Sequence, residues 1–327
     1  MLAHTYQDII SLENLFAAWQ EFLEGKTKRT DVQEFQEHLM RNILILHHEL
    51  LNKTYRHSKY EAFKISDPKP RDIHKSAVRD RLLHHAIYRV LYPYFDKRFI
   101  TDSYSCRVGK GTHRALNRFQ SFARKVSLNH TKTVWVLKCD IKKFFASVDH
   151  EVLLGIVAKH IGDADVRNLL SEIVGSFYSG RIGTGLPLGN LTSQLLVNVY
   201  MNEFDQYVKR RLKAKHYIRY GDDFVILSRD REWLKQLLPH IQDFLWNELR
   251  LTLHPQKVSI STVASGVDFL GWVHFPDHRV LRTATKKRML RRVERLEEED
   301  PTVQSYLGLL SHGNTYKRQQ ELKRRLR

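Results

Sequence analysis

The sequence predicts a mixed fold of helices and short strands, and three observations predict it. Apolar residues recur at helical spacing over long stretches, beginning with Leu12, Leu15, Phe16, Trp19, Phe22 and Leu23. Short runs rich in β-branched and aromatic residues, at 133–140, 217–227 and 267–273, read instead as strands. Two of those runs carry carboxylates among apolar flanks: Asp140 closes the first, and Asp222-Asp223 stand at the tip of the second.

The elements follow in chain order. Residues 1–60 read as helices, the second stripe running through Phe35, Leu39, Ile43, Leu46 and Leu50. From 60 to 75 short apolar runs are broken by Asp67-Pro68-Lys69-Pro70, a turn signal. Lys69, Arg71, Lys75, Arg79 and Arg81 concentrate charge before a helix over 77–94. Such a cluster is either a solvated face or a grip for phosphate, since Arg offers a bidentate fork. Arg107, Lys110 and Arg114 surround a Gly-x-Gly at 109–111 that lacks the Gly-Lys-Ser/Thr ending of a phosphate-binding P-loop. After the strand at 133–140 come helices over 150–178. A Gly- and Pro-rich loop at 183–194 then feeds a long helix through Leu195, Val199, Phe204 and Val208. A helix over 233–249, a strand with a turn over 251–260 and a strand at 267–273 precede a basic helical end from 283 to 327.

At 327 residues the chain can bury a substantial core, and two or three subdomains packed as one compact unit are expected. Lys and Arg total 54 against 36 Asp and Glu, a net charge of +18, with a pI near 9.8. An excess of that size points to a polyanionic partner, and nucleic acid fits better than membrane. No apolar run approaches the ~20 residues a spanning helix needs, and the N-terminus lacks a signal-peptide pattern. Cys106 and Cys139 make neither a disulfide framework nor a zinc cluster, which fits a reducing cytoplasm. The His84-His85 pair has no Cys pair or spaced His beside it, so hydrogen bonding or RNA contact is its expected role.

The run Tyr217-Ile-Arg-Tyr-Gly221-Asp222-Asp223-Phe-Val-Ile-Leu227 reads as a hairpin whose turn Gly221 can make with positive φ. Alone, it is an exposed Gly-Asp turn or a site where adjacent like charges await a cation. Asp140 supplies a third carboxylate at a strand end, costly there unless paired or metal-bound. Three such carboxylates are the minimum for two Mg²⁺ ions about 3.5–4 Å apart. Magnesium takes oxygen ligands and leaves room for substrate phosphates.

In order, Asp140-Ile-Lys-Lys-Phe-Phe145, the Gly185-Leu-Pro187-Leu188-Gly189-Asn loop, Tyr220-Gly-Asp-Asp223, a strand ending at Lys257, and Phe269-Leu270-Gly271-Trp272 resemble the motifs of reverse transcriptases over residues 60–275. Residues 103–113, 188–194 and 306–313 look like the subclass found in diversity-generating retroelements, with Leu188 where many reverse transcriptases carry Gln. One departure is Gly221, where that subclass often has Met. Group II intron maturases, retrons and defence-associated reverse transcriptases are the nearest relatives of that subclass.

The resemblance implies an α+β right-hand polymerase. Fingers would span 1–130, a ferredoxin/RRM-like palm 131–275 with a helical insertion at 150–180, and a short basic helical thumb 276–327. It implies error-prone copying of a template RNA into cDNA, with two Mg²⁺ ions (Mn²⁺ as substitute), dNTPs and a primer. The cations would be held by Asp140, Asp222 and Asp223 with the Ile141 carbonyl, and Lys257 would protonate pyrophosphate. Lys69, Arg71, Phe145, Pro187, Leu188 and Gly189 would meet the nucleotide, and Leu270 and Gly271 would lie under the primer end. Arg107, Lys110 and Arg114, with Lys286, Lys287, Arg288, Arg291 and Arg292, would contact nucleic acid, as would further basic residues at 295 and over 317–327. A small basic, oligomeric accessory protein is the implied partner. Because the chain stops after the thumb, maturation, DNA-binding and endonuclease activities are not expected. The alternatives are a defence-associated, group II-like or retron enzyme, and an idle RNA-binding scaffold that kept the fold.

Overall fold

A computed structural model describes the chain except residues 67–69, 294–295, 298–299, 317–319 and 321–327. Lys69, Arg295 and the basic residues at 317, 318 and 323–327 therefore lie outside the described residues. The chain opens with α1 (Tyr6–Ile10), α2 (Leu12–Leu23), α3 (Thr30–Glu37) and α4 (Leu39–Leu51). The antiparallel pair β1 (Glu61–Ile65) and β2 (Arg71–Lys75) precedes α5 (Val78–Asp96) and α6 (Thr112–Val126). Then come β3 (Trp135–Asp140), α7 (Phe144–Ser147), α8 (His150–Ala158), α9 (Ala164–Gly175) and α10 (Leu191–Arg210). The hairpin β4 (Tyr217–Tyr220) and β5 (Asp223–Ser228) is followed by α11 (Arg231–Leu249) and β6 (Ser259–Thr262). The chain continues through β7 (Val267–Phe269), β8 (Trp272–His274), β9 (Arg279–Leu281), α12 (Thr283–Val293) and α13 (Pro301–Leu310).

The residues group into two compact units, each assembled from three stretches. The first comprises Met1–Thr101, Ile141–Arg211 and Gln242–Thr252, and the second Asp102–Asp140, Leu212–Ile241 and Leu253–Arg327. The first is largely helical. Its α5 packs against α2 and α10, burying the stripe Leu82, Leu83, Ala86, Ile87 and Leu91 together with Trp19 and Phe22. The second holds a four-stranded antiparallel sheet in the order β4-β5-β3-β6 and a three-stranded one in the order β7-β8-β9. Phe119 and Phe122 of α6 enter the same core as Val136, Ile218, Val225, Phe269 and Trp272.

Three expectations are corrected. Helix ends at Leu51, and residues 55–60 are irregular. Residues 267–273 are not one strand but a hairpin. Leu270 (φ 51) and Gly271 (φ 86) both take left-handed backbone, the conformation a two-residue turn matching strand twist requires. No strand ends at Lys257; residues 255–257 are a turn, closed by Lys257 N–H donating to the His254 carbonyl at 3.0 Å, and β6 starts later at Ser259. Pro255 lacks the N–H a strand ladder uses, which favours this outcome.

Candidate active site

Strand register brings two of the three carboxylates together. β3 lies between β5 and β6, so Val136, Leu137 and Cys139 are buried, and the strand ends on Asp140, itself only 6% exposed. Its partner in β5 is Asp223, which also faces Tyr220 of β4. Gly221, at φ 63, and Asp222 form the turn between them, as the sequence predicts. Burial first, then the charge of Asp222, push the Asp223 carboxyl up to about 7, and a hydrogen bond with Asp140 acts the same way. Lys138, two residues before Asp140 on the same strand face, pulls in the other direction.

Lys257 supplies the counter-charge for Asp140. Its ammonium donates to Asp140 Oδ1 at 2.8 Å, while the His254 N–H donates to the Asp140 carbonyl at 2.7 Å. The turn that carries Lys257 is thus fastened to the end of β3. Arg219 was not singled out from the sequence, yet it holds the hairpin tip. Only 1% exposed on β4, its guanidinium donates to the Gly221 carbonyl and to Ser103 Oγ, each at 3.1 Å. Backbone bonds from Arg219 N–H to the Asp102 carbonyl and from Tyr104 N–H to the Arg219 carbonyl, both 3.0 Å, lay residues 102–104 along the same strand. The readable signal was an arginine inside the buried run Tyr-Ile-Arg-Tyr, a placement too costly without a partner.

Among the described residues no three His, Cys, Asp or Glu side chains converge closely enough to cage a metal by themselves. The donors that do meet here are oxygens, in an anionic site whose charge Lys257 only partly offsets. That set suits a hard divalent cation, which binds through one or two carboxylates and completes its shell with water and substrate phosphate. The residues present fit a hard divalent cation of this kind.

The residues expected to meet the nucleotide belong, Lys69 aside, to the first unit, and the structure gathers them there. The His74 N–H of β2 donates to the Leu188 carbonyl at 3.1 Å, tying the strand that carries exposed Arg71 to the 187–189 loop. The Leu186 N–H donates to the Phe145 carbonyl at 2.8 Å, joining Phe145 to the same loop. Pro187 is buried and Leu188 half-buried. Beneath them Ser76 Oγ donates to Asn190 Oδ1 at 2.7 Å, and Thr192 Oγ1 meets His84 Nδ1 at 2.7 Å. Burial pushes the His84 imidazole down to about 3, so it is a neutral hydrogen-bonding post. Ile141, next in the chain after Asp140, is buried in this unit.

The remaining predicted residues lie in the second unit. Leu270 and Gly271 form the β7–β8 turn. Arg107 donates to the Ser103 carbonyl at 3.0 Å, Lys110 lies over the Tyr104 ring at 5.3 Å, and Arg114 donates to the Gly109 carbonyl. These three brace their own loop. On α12, Lys287, Arg291 and Arg292 are exposed and Lys286 and Arg288 partly covered, while Met289 and Val293 pack with Val303 and Leu310.

With this geometry in hand, the family is clear. Residues 64–274 match the reverse transcriptase (RNA-dependent DNA polymerase) family, and the chain belongs to it. It is an RNA-directed DNA polymerase, of a family that works with divalent metal ions and binds template RNA and nucleotides. The chain is 27% identical to Protein YkfC of Escherichia coli over 306 residues, covering 81% of this chain and 77% of that one. It is 23% identical to the group II intron-encoded protein LtrA of Lactococcus lactis over an alignment of 279 residues that covers 64% of this chain and only 44% of LtrA. In structure it is similar to apo telomerase from Candida tropicalis, with a TM-score of 0.54 at 10% identity over 73% of this chain and 52% of that one. That likeness shows the α+β fold of a right-hand polymerase. Among the described residues no helix is long and apolar enough to cross a membrane.

Proposed function

We propose that the chain copies template RNA into DNA at Asp140, Asp222 and Asp223, and that it is the mutagenic enzyme of a diversity-generating retroelement. The observation that carries the first part is the in-register pairing of Asp140 with Asp223 beside the Asp222 turn. Bound Mg²⁺ (or Mn²⁺) would activate the primer 3′-hydroxyl and offset charge on the leaving oxygens. The hydroxyl attacks the dNTP α-phosphorus, a new P–O bond forms, and pyrophosphate leaves. In this reading Asp140 and Asp222 would be the main residues holding the cations, with Asp223 and the Ile141 carbonyl supporting. Lys257 holds Asp140 in the free protein and, once released, presents its Nζ proton to pyrophosphate. Arg71 and Lys69 grip the triphosphate. Phe145, Pro187, Leu188 and Gly189 bound the sugar and base, and Leu270-Gly271 supports the primer end. In this reading residues 1–130 are fingers, 131–275 palm, and 276–327 a thumb whose α12 cations follow the nucleic acid. A small basic accessory protein assists template engagement.

Leu188 supports the subclass. A glutamine there would add a polar constraint on the nucleotide, whereas leucine offers apolar contact alone, so pairing is checked less strictly. One lost hydrogen bond forgoes about 1–3 kcal/mol of discrimination, or on the order of tenfold to a hundredfold in error. Likeness to LtrA favours a second reading, a group II-like or retron enzyme with the same chemistry. Sequencing cDNA made on one template by wild type and Leu188→Gln separates them. Frequent errors opposite template adenine, reduced in the variant, support the mutagenic subclass; equal and low error rates favour the second reading.

A further inference from the structure

We propose that a basic cleft at the end of the palm sheet remote from the carboxylates is a second RNA-binding site, one that takes template lying outside the polymerase site. It rests on the chain being an RNA-copying enzyme, not on the residue roles proposed above. The sheet has two ends. Asp140 pairs with Asp223 at one, and Trp135 pairs with Ser228 at the other, about 17 Å away by strand rise. Beside Ser228 opens a cleft of about 360 Å³ lined by Lys125, Lys213, Lys215 and Arg229, with exposed Leu128 and the half-buried Trp233 ring as apolar walls.

No carboxylate lines it. The adjoining Asp230 instead caps α11, accepting from the Trp233 N–H at 2.9 Å. Cations gathered from the end of α6, the segment before β4 and the end of β5, among them Lys125, Lys213 and Arg229, concentrate positive charge in the cleft. A row of phosphates offsets that charge and releases counterions. Trp233 gives a base an aromatic wall, a contact every nucleotide can use. Cation plus aromatic, on a chain carrying +18, fits single-stranded RNA better than an acidic protein.

The test uses the full chain with two variants, Lys125→Ala/Lys213→Ala/Arg229→Ala and the same three positions changed to Glu. Each is checked for wild-type thermal unfolding. RNA affinity is titrated against salt on a primer–template hybrid with a long template overhang and on a minimal hybrid without one. Loss of three phosphate contacts lowers the log–log slope on the long template by ~2 and its affinity by tenfold or more. Extension of the minimal hybrid stays within about twofold of wild type, as expected of a site apart from the chemistry. An unchanged slope on the long template overturns the proposal. So does an equal loss on the minimal hybrid, which would place the cations at the polymerase site. Loss of poly-glutamate binding with RNA binding intact would also overturn it, marking the cleft as a site for acidic protein. Should the Glu variant fail to fold, the Ala variant alone decides.

Discussion

At Asp223, burial and a like-charged neighbour act on one carboxyl in the same direction. Its pKa rises from 3.8 in an unconstrained chain to about 7, so the folded protein prefers it protonated. The sign follows from linkage: a raised pKa contributes stability below pH ~4 that is lost as pH climbs towards 7. The cost at pH 8 is of the order of a few kcal/mol. In EDTA, Asp223→Asn should therefore raise Tm at pH 8 by on the order of 5 °C while leaving it unchanged near pH 4. Added Mg²⁺ should narrow the gap by stabilising wild type alone. A variant no more stable than wild type at pH 8 would mean that Asp223 is not under this strain. Arg219 makes a separate case. Arg219→Met roughly keeps the volume but removes the guanidinium's hydrogen bonds to the Gly221 carbonyl at the hairpin tip and to Ser103 Oγ. Extension should fall by about fivefold to a hundredfold, the equivalent of about 1–3 kcal/mol of barrier, with RNA affinity unchanged, because the arginine is buried and acts through the turn.

Elements show which parts of the fold a sequence can display. The hairpin 217–228 was legible because its alternation, its Gly turn and its misplaced carboxylates all pointed one way. The helix α6 was legible though not predicted: Ala115, Leu116, Phe119, Phe122, Ala123 and Val126 recur at helical spacing, and all are buried in the structure. The 267–274 hairpin resembles one strand in sequence because only one of its two left-handed turn positions, Gly271, carries a glycine, and Leu270 gives no warning. Within the site, residue identities were legible but their braces were not. Ser76 with Asn190, and His84 with Thr192, are each more than a hundred positions apart. These bonds underlie the loop of Leu188, so Ser76→Ala, which strips Asn190 Oδ1 of its donor, should raise the KM for dNTP severalfold while sparing template affinity. An unchanged KM would show that the loop is held by its backbone bond to β2 alone.

For the whole molecule, charge and carboxylates divide the work. If the excess of +18 sets how firmly RNA is held, affinity should fall steeply with salt, whichever polymerase-site residue is changed. Under the proposed function, chemistry depends on a few oxygens at the ends of β3 and β5. Primer extension and RNA binding measured side by side on Asp140→Asn and Asp222→Asn test that division most directly. Each change removes one carboxylate charge and leaves the basic surface untouched. Loss of a ligand to the catalytic cations should cost several kcal/mol of barrier, reducing dNTP incorporation by on the order of a thousandfold or more, with RNA affinity within about twofold of wild type. Readily measured extension by either variant in Mg²⁺ would contradict the assignment of the site.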